Sequence, residues 1–348
     1  MIPVQNIYYM LSYAFQVLNE QGYKNVSTEK FSNVTELCAA ILTKGISLQL
    51  KRGLGREYIG ESDALSSIRG KIDISESIKT RTMLRKQLVC VYEDFSVNSY
   101  MNRVIKSTAE LLLRSDISPK RKKELRKHLV FFSDVEILNV YNINWNFIYN
   151  KNNQTYQMLI SICHLIINSL LQTTSSGTKK LMDFLDEQHM SRLYEKFILE
   201  YYKKEYPEVN ARASQIPWQL DDEINDMLPI MQTDIMLTKD EKTLIIDAKY
   251  YSNTTRARYD VRKLHSGNLY QIFTYVKNKE RQLRDQPHEV SGMLLYAKTD
   301  ETVQPNSTYR MSGNSISVKT LDLGCDFFEI TTQLNSIIKE YFGINEIG

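Results

Sequence analysis

The chain lacks most signposts of a specialised class. Its 348 residues hold only four cysteines, Cys38, Cys90, Cys163 and Cys325. They are far apart, match no zinc spacing and mostly sit in apolar runs such as LVCV and SICHLI, so they read as reduced residues, largely in the core. No stretch reaches ~18 uninterrupted apolar residues, and the opening MIPVQNIYYML has neither a basic n-region nor a small-residue cleavage site. No membrane segment is expected, and a cytoplasmic protein is. The phosphate loop GxxxxGK[ST] is missing, so this chain alone is expected to bind no nucleotide. An excess of one charge is missing too: 44 Lys+Arg against 41 Asp+Glu leave +3. A distributed surplus that small creates no strong field, so only local clusters can argue for nucleic acid. Two exist, KRKKELRK at Lys120 to Lys127 and RARYDVRK at Arg256 to Lys263. Either fits phosphates, and the first fits a solvated helix face equally well.

What is present is ordinary globular composition, 42% apolar and 24% charged, without low-complexity tracts or internal repeats. The length predicts two packed units. Apolar positions recurring at three and four predict helices over Ile7 to Leu18, Val34 to Leu50, Asn98 to Leu113, Thr155 to Leu171 and Met190 to Tyr202. Ser118 before Pro119 predicts an N-cap that makes KRKKELRK helical. Between Glu57 and Phe95 the period shortens, predicting short antiparallel strands with a strand-turn stretch at Arg69-Gly70. The polar run Asn150 to Gln154 predicts the domain boundary. The expected fold is mixed α/β: an N-terminal α+β domain over 1–152, then an α/β domain over 153–348. In the latter, a helix, a strand-rich stretch to Tyr251, a helix around Leu269 to Val276 and a strand at Gly292 to Tyr296 follow one another.

The chemistry-bearing segment is MQTDIMLTKDEKTLIIDAKYY, Met231 to Tyr251. Two apolar runs flank Lys239-Asp240-Glu241-Lys242, a hairpin signal. A turn centred between Asp240 and Glu241, without a bulge, sets Asp234 opposite Asp247, and facing residues of an antiparallel pair have Cβ atoms ~4.5–5.5 Å apart. Alternation then projects Asp247 and Lys249 from one strand face. Burying two like charges beside Leu244, Ile245 and Ile246 is costly unless a proton or cation compensates. A hard divalent ion such as Mg²⁺, with Mn²⁺ in its place, suits oxygen ligands and a phosphate. The competing reading is a cross-strand salt bridge from Lys249 to one aspartate, which leaves the second inward acid unexplained.

These residues resemble the PD-(D/E)xK nuclease superfamily, whose pattern is an acid, a hairpin, then acid-x-Lys; Thr233 stands where that pattern has proline. The resemblance implies an αβββαβ restriction-endonuclease-like core, with metal ligands at Asp234, Asp247, the Ala248 carbonyl and an acid on the preceding helix. That acid is Glu195, with Glu200 as competitor. Gln271 and Tyr275 resemble the Gln-x-x-x-Tyr pattern of the RecB-like branch, and ordinary helix packing is the other reading. Arg256, Arg258, Arg262, Lys263 and His265 lie near enough in sequence to hold DNA phosphates. A mobile basic loop competes for Arg256 and Arg258, and an internal hydrogen-bonding role for His265. Further segments, IPVQNIYYMLSYAF, IRGKIDI, NSYMNRVIKST and KLHSGNLYQIFTY, resemble the McrC family of nuclease subunits from McrBC modification-dependent restriction systems. That resemblance implies an N-terminal half docking on a McrB-like AAA+ GTPase hexamer and stimulating it, and a C-terminal half cutting double-stranded methylated DNA. Arg69, Asn98 and Arg103 are the expected docking or buttressing residues. Rival roles are a RecB-like repair nuclease acting without a GTPase and a non-catalytic adaptor of the motor.

Overall fold

The computed structural model describes the chain except residues 1, 20–22, 24–28, 30, 151, 152, 154, 177–186, 223–226, 252–254, 259, 260 and 345–348, and except the side chains of 17, 19, 169, 171–176, 187–189, 255–258 and 261–263. The chain forms two compact units, Thr35–Leu181 and Met1–Val34 together with Met182–Gly348.

This division differs from the expected boundary at 152/153, for two physical reasons. Helix α1 (Val4–Ala14) belongs to the split unit. Its buried Asn6 donates to the carbonyls of Leu323 and Cys325, and Tyr13 donates to Glu205 and packs on Phe197. At the other end, two described residues of the polar run are joined to each other as a turn requires, and no unit boundary falls there. Asn150 and Asn153 accept one another's backbone amides, and the helix that follows stays in the middle unit.

The middle unit begins with α2 (Val34–Arg52), then β1 (Glu57–Leu65), β2 (Lys71–Ile72), α3 (Ile74–Lys79) and β3 (Leu88–Ser96), followed by α4 (Tyr100–Arg114), α5 (Pro119–Leu129) and α6 (Tyr156–Ser176). β1 and β3 pair antiparallel over nine residues each, longer than the expected short strands, and β2 adds to β3. Gly70, at φ +69, lies where a Cβ would meet the Val91 carbonyl oxygen at 2.4 Å, so only glycine fits this turn. α5 is capped as expected, Ser118 accepting the Arg121 amide with Pro119 in the first turn. Its basic run is not wholly solvated: Arg121 is buried, 3.6 Å from Glu36. The three expected docking residues all have partners inside this unit. Arg69 pairs with Asp94 and lies over the Tyr92 ring, Asn98 accepts the Glu136 amide, and Arg103 pairs with Glu136.

The split unit continues with α7 (Glu187–Glu205), the small pair β4 (Gln215–Ile216) and β5 (Met231–Gln232), then β6 (Ile235–Lys239), β7 (Lys242–Lys249), the ribbon β8 (Thr255–Arg258) with β9 (Val261–Leu264), and α8 (Ser266–Gln282). β10 (Glu289–Ala297), β11 (Ser307–Met311), β12 (Asn314–Leu321) and α9 (Phe327–Phe342) complete it. Five strands form one sheet in the order β11-β12-β10-β7-β6. β7, β10 and β12 run parallel, with antiparallel strands at both edges. β7 is apolar on both sides because it is central and covered on both faces. One face, carrying Ile245, Leu294, Ile316 and Val318, packs on Ile272, Tyr275 and Val276 of α8. Gly292 lets α8 approach: a Cβ there would meet Val276, Ile272 and Ile316 at 2.8, 2.9 and 2.9 Å. Among the described residues no helix is long and apolar enough to cross a membrane.

Candidate active site

The β6–β7 hairpin closes through Asp240 and Glu241, with Lys239 opposite Lys242 and Asp240 at φ +51. A two-residue connection of this kind turns the chain with the twist that the strands require. The register runs back to Ile235 opposite Ile246. Continued by one residue, it sets Asp234 opposite Asp247, where the sequence placed it. Asp234 lies just outside the ladder, and its Oδ2 accepts the Ala248 amide at 2.9 Å, taking the place of a backbone carbonyl. The chain is guided there by Thr233, whose amide donates to the Ser214 carbonyl at 2.9 Å. A proline at that position could not make this bond.

Asp247 is 1% exposed. Its Oδ1 accepts from Lys249 Nζ at 2.9 Å, while its Oδ2 is buried without a partner. Burial drives the Asp247 carboxyl up, Lys249 opposes, Asp234 adds to the rise, and the result is a carboxyl pushed up to about 7. Burial also raises Asp234, against Lys249 and the Ala248 amide. The two acids therefore hold one proton between them more readily than two negative charges. Burial alone would lower Lys249, but Asp247 and then Asp234 outweigh it and favour the ammonium.

Lys249 Nζ also donates to Gln271 Oε1 at 3.4 Å, Gln271 Nε2 donates to the Tyr275 hydroxyl at 3.0 Å, and Tyr275 donates to the Gln232 carbonyl at 3.1 Å. The spacing of four thus forms a connected chain along α8 that reaches from the lysine to the residue before Thr233. On α7, Glu195 accepts from Ser191 at 2.9 Å. Its carboxyl is raised by burial and then by the charge of Asp234. Glu200 instead pairs with Lys203 at 2.7 Å. Glu195 is therefore the acid of that helix that senses the pair. Among the described residues no three His, Cys, Asp or Glu side chains gather closely enough to hold a metal by themselves. The compact donor set is the two aspartates.

Arg256, Arg258, Arg262 and Lys263 lie on the β8–β9 ribbon, and their side chains fall outside the described residues. His265 precedes α8 without capping it by a side-chain bond; its ring lies 5.3 Å from that of Tyr251, and its Nε2 is buried without a partner. Sequence reasoning passed over Asn268 and Tyr296, which lie beside the site joined by a 2.9 Å hydrogen bond. Asn268 had a signal, three residues before Gln271 on the same helical stripe. Tyr296 had none, because GMLLYA reads simply as a core strand.

A family model described as McrBC 5-methylcytosine restriction system component matches residues 4–297. The chain belongs to this McrBC family. The match runs from α1 to the end of β10, so it takes in the hairpin, Lys249 and the α8 stripe. The McrBC relative from Escherichia coli (strain K12), described as Type IV methyl-directed restriction enzyme EcoKMcrBC, is 29% identical over 346 residues, 98% of each chain. Two solved structures from Thermococcus gammatolerans are also similar. One is a refined half-complex from a tetradecameric assembly of McrB AAA+ hexamers with bound McrC, at 14% identity, covering 97% of this chain and 76% of that one with a TM-score of 0.45. The other is a McrBC complex, at 17% identity, covering 58% of each chain with a TM-score of 0.39. Superpositions this loose transfer no geometry to the McrBC chain described here.

Proposed function

We propose that this McrBC-family chain is the DNA-cleaving subunit of a type IV restriction system, hydrolysing phosphodiesters at a PD-(D/E)xK site built from Asp234, Asp247 and Lys249. The observation that carries the reading is the buried aspartate pair with an unpartnered oxygen at Asp247 Oδ2. Buried polar atoms are almost always hydrogen-bonded, so an orphan between two like charges marks a place for a cation. The residues fit Mg²⁺ or Mn²⁺: Asp234 and Asp247 as carboxylate ligands, the Ala248 carbonyl beside them and Glu195 as the outer acid, the other positions left to water and phosphate. Bound there, such an ion supplies Lewis acidity toward a phosphate oxygen and a more acidic water. Lys249, held as an ammonium between Asp247 and Gln271, balances the charge that develops on the phosphate. Gln271 and Tyr275 hold Lys249 at the hairpin, and Arg256, Arg258, Arg262, Lys263 and His265 grip the DNA backbone without reading sequence.

The middle unit is the docking surface for a McrB-like AAA+ GTPase hexamer in this reading. It exposes Tyr58, Ile68, Ile74, Ile78, Leu84 and Phe95, with the Tyr58 and Phe95 rings 5.0 Å apart, and these are apolar side chains that a protein partner would cover. The substrate is double-stranded methylated DNA, in line with what the Escherichia coli relative's description says of that protein. The test is a cleavage assay on methylated and unmethylated plasmid with Mg²⁺, with and without the GTPase and GTP. Asp247→Ala and Lys249→Ala are expected to abolish cleavage while leaving stimulation of the GTPase largely intact. If both variants still cut, the assigned site is wrong. Efficient cutting by the chain alone would favour a RecB-like nuclease, and stimulation without any cutting by the wild type an adaptor.

A further inference from the structure

Lys249 has a neighbour on the adjacent strand that the chemistry above leaves unused. In the parallel β7–β10 pair, Tyr296 stands in register with Lys249, so both side chains leave the same sheet face. Asp247 is opposite Leu294 on that face, a diagonal neighbour of Tyr296 within reach of an aromatic side chain. Tyr296 is 0% exposed, and its hydroxyl oxygen accepts from Asn268 Nδ2 at 2.9 Å. Asn268 Oδ1 accepts from the Tyr251 hydroxyl at 3.4 Å, and the Tyr251 and Tyr296 rings lie 6.1 Å apart.

Two features separate this group from plain core packing. First, Tyr296 is fully buried with its hydroxyl oxygen held by Asn268, so the strand beside Lys249 is fastened to α8 by a side chain rather than by packing alone. Second, Asn268 is the third member of one α8 stripe, three residues before Gln271 and seven before Tyr275. Asn268 holds Tyr296 of β10, Gln271 accepts from Lys249 of β7, and Tyr275 donates to Gln232 of β5. One helix face thus ties together three strand segments that meet at the acids.

We propose that Tyr296, oriented by Asn268, is a positioning residue of the cleavage site: its hydroxyl anchors β10 to the α8 stripe that holds Lys249, and its ring backs the Lys249 stem. The proposal rests on the nuclease reading. The full chain is titrated with Mn²⁺ by calorimetry, and cleavage of methylated plasmid is measured in its complex with the GTPase. Tyr296→Phe removes one oxygen and conserves the packing, and its thermal midpoint verifies folding. It is expected to weaken Mn²⁺ binding about threefold to tenfold, and to lower kcat about tenfold with KM for DNA unchanged. Asn268→Leu is expected to match it, and the double variant to lose no more than either alone, because both act through one hydrogen bond. Wild-type kcat and Mn²⁺ affinity in Tyr296→Phe, or additive losses in the double variant, overturn the proposal. Asp247→Ala runs alongside. If it cuts like wild type, the nuclease reading falls and takes this proposal with it; if it is dead while Tyr296→Phe is unimpaired, only the proposal falls.

Discussion

Asp247 is under opposing demands, and its response to pH follows from them. Burial and Asp234 favour the neutral acid, Lys249 favours the carboxylate, and the balance lies at about 7 against an ordinary 3.8. The folded state therefore binds this proton more tightly than the unfolded chain does. Stability from the group is complete below the ordinary value and is lost as pH rises through about 7. In thermal scans, metal-free protein is expected to unfold at a lower temperature above neutrality than in mild acid. Asp247→Asn should remove most of that slope, and Mg²⁺ should restore the wild-type midpoint at the higher pH. An Asn variant with the same slope as wild type would move the effect to another group. The choice between Glu195 and Glu200 belongs to this scale as well. Both sit on one helix five residues apart, and only the packing of α7 sets Glu195 toward Asp234 while Glu200 turns to Lys203.

The hairpin and α8 position the site at the scale of elements. The hairpin was legible because a period of two and a four-residue polar break leave a single register that keeps Leu244 and Ile246 on one face and Asp247 with Lys249 on the other. The stripe on α8 was legible as a spacing, but its partners were not, since Gln232 and Lys249 reach it only through the sheet. β11, β12 and α9 went unread, because sheet order is a long-range property that local periodicity does not carry. Gly292 shows how tightly helix and sheet are fitted. Gly292→Ala is expected to cost about 1–3 kcal/mol in denaturant unfolding, the usual penalty of overpacking. It should also reduce cleavage by pushing Gln271 and Tyr275 away from Lys249. Unchanged stability would mean that Ile272, Val276 and Ile316 yield without cost.

For the whole molecule, the docking role proposed for the middle unit asks that it be rigid. The middle unit has one answer in Asn102, buried at 0% exposure. Its Nδ2 donates to the Gly55 and Val97 carbonyls, each at 2.8 Å, on the two residues that flank the β1–β3 ribbon. Its Oδ1 accepts from Tyr156 at 2.7 Å, and that hydroxyl accepts the Gly55 amide at 2.7 Å. Both roots of the ribbon are tied to one side chain. Asn102→Ala leaves these buried groups unpaired and is expected to cost about 1–3 kcal/mol in chemical unfolding. Stimulation of the GTPase should fall sharply, while Mn²⁺ binding at the acids, in the other unit, stays as in wild type. Stimulation equal to wild type would show that the ribbon root does not matter for docking.

The sequence by itself determined what short-range periodicity and spacing can carry: most of the longer helices, the hairpin register and the meeting of Asp234 with Asp247 and Lys249; its motif segments added the family resemblance. The tertiary structure decided where the chain divides. It sent α1 to the C-terminal unit and kept α6 with the middle one, because Asn6 and Tyr156 find their hydrogen-bond partners far along the chain. It also decided which polar side chains surround the acids. Burial and charge act through space, and residues such as Tyr296, an apolar-strand tyrosine in sequence, gain their neighbours only when parallel strands are laid side by side.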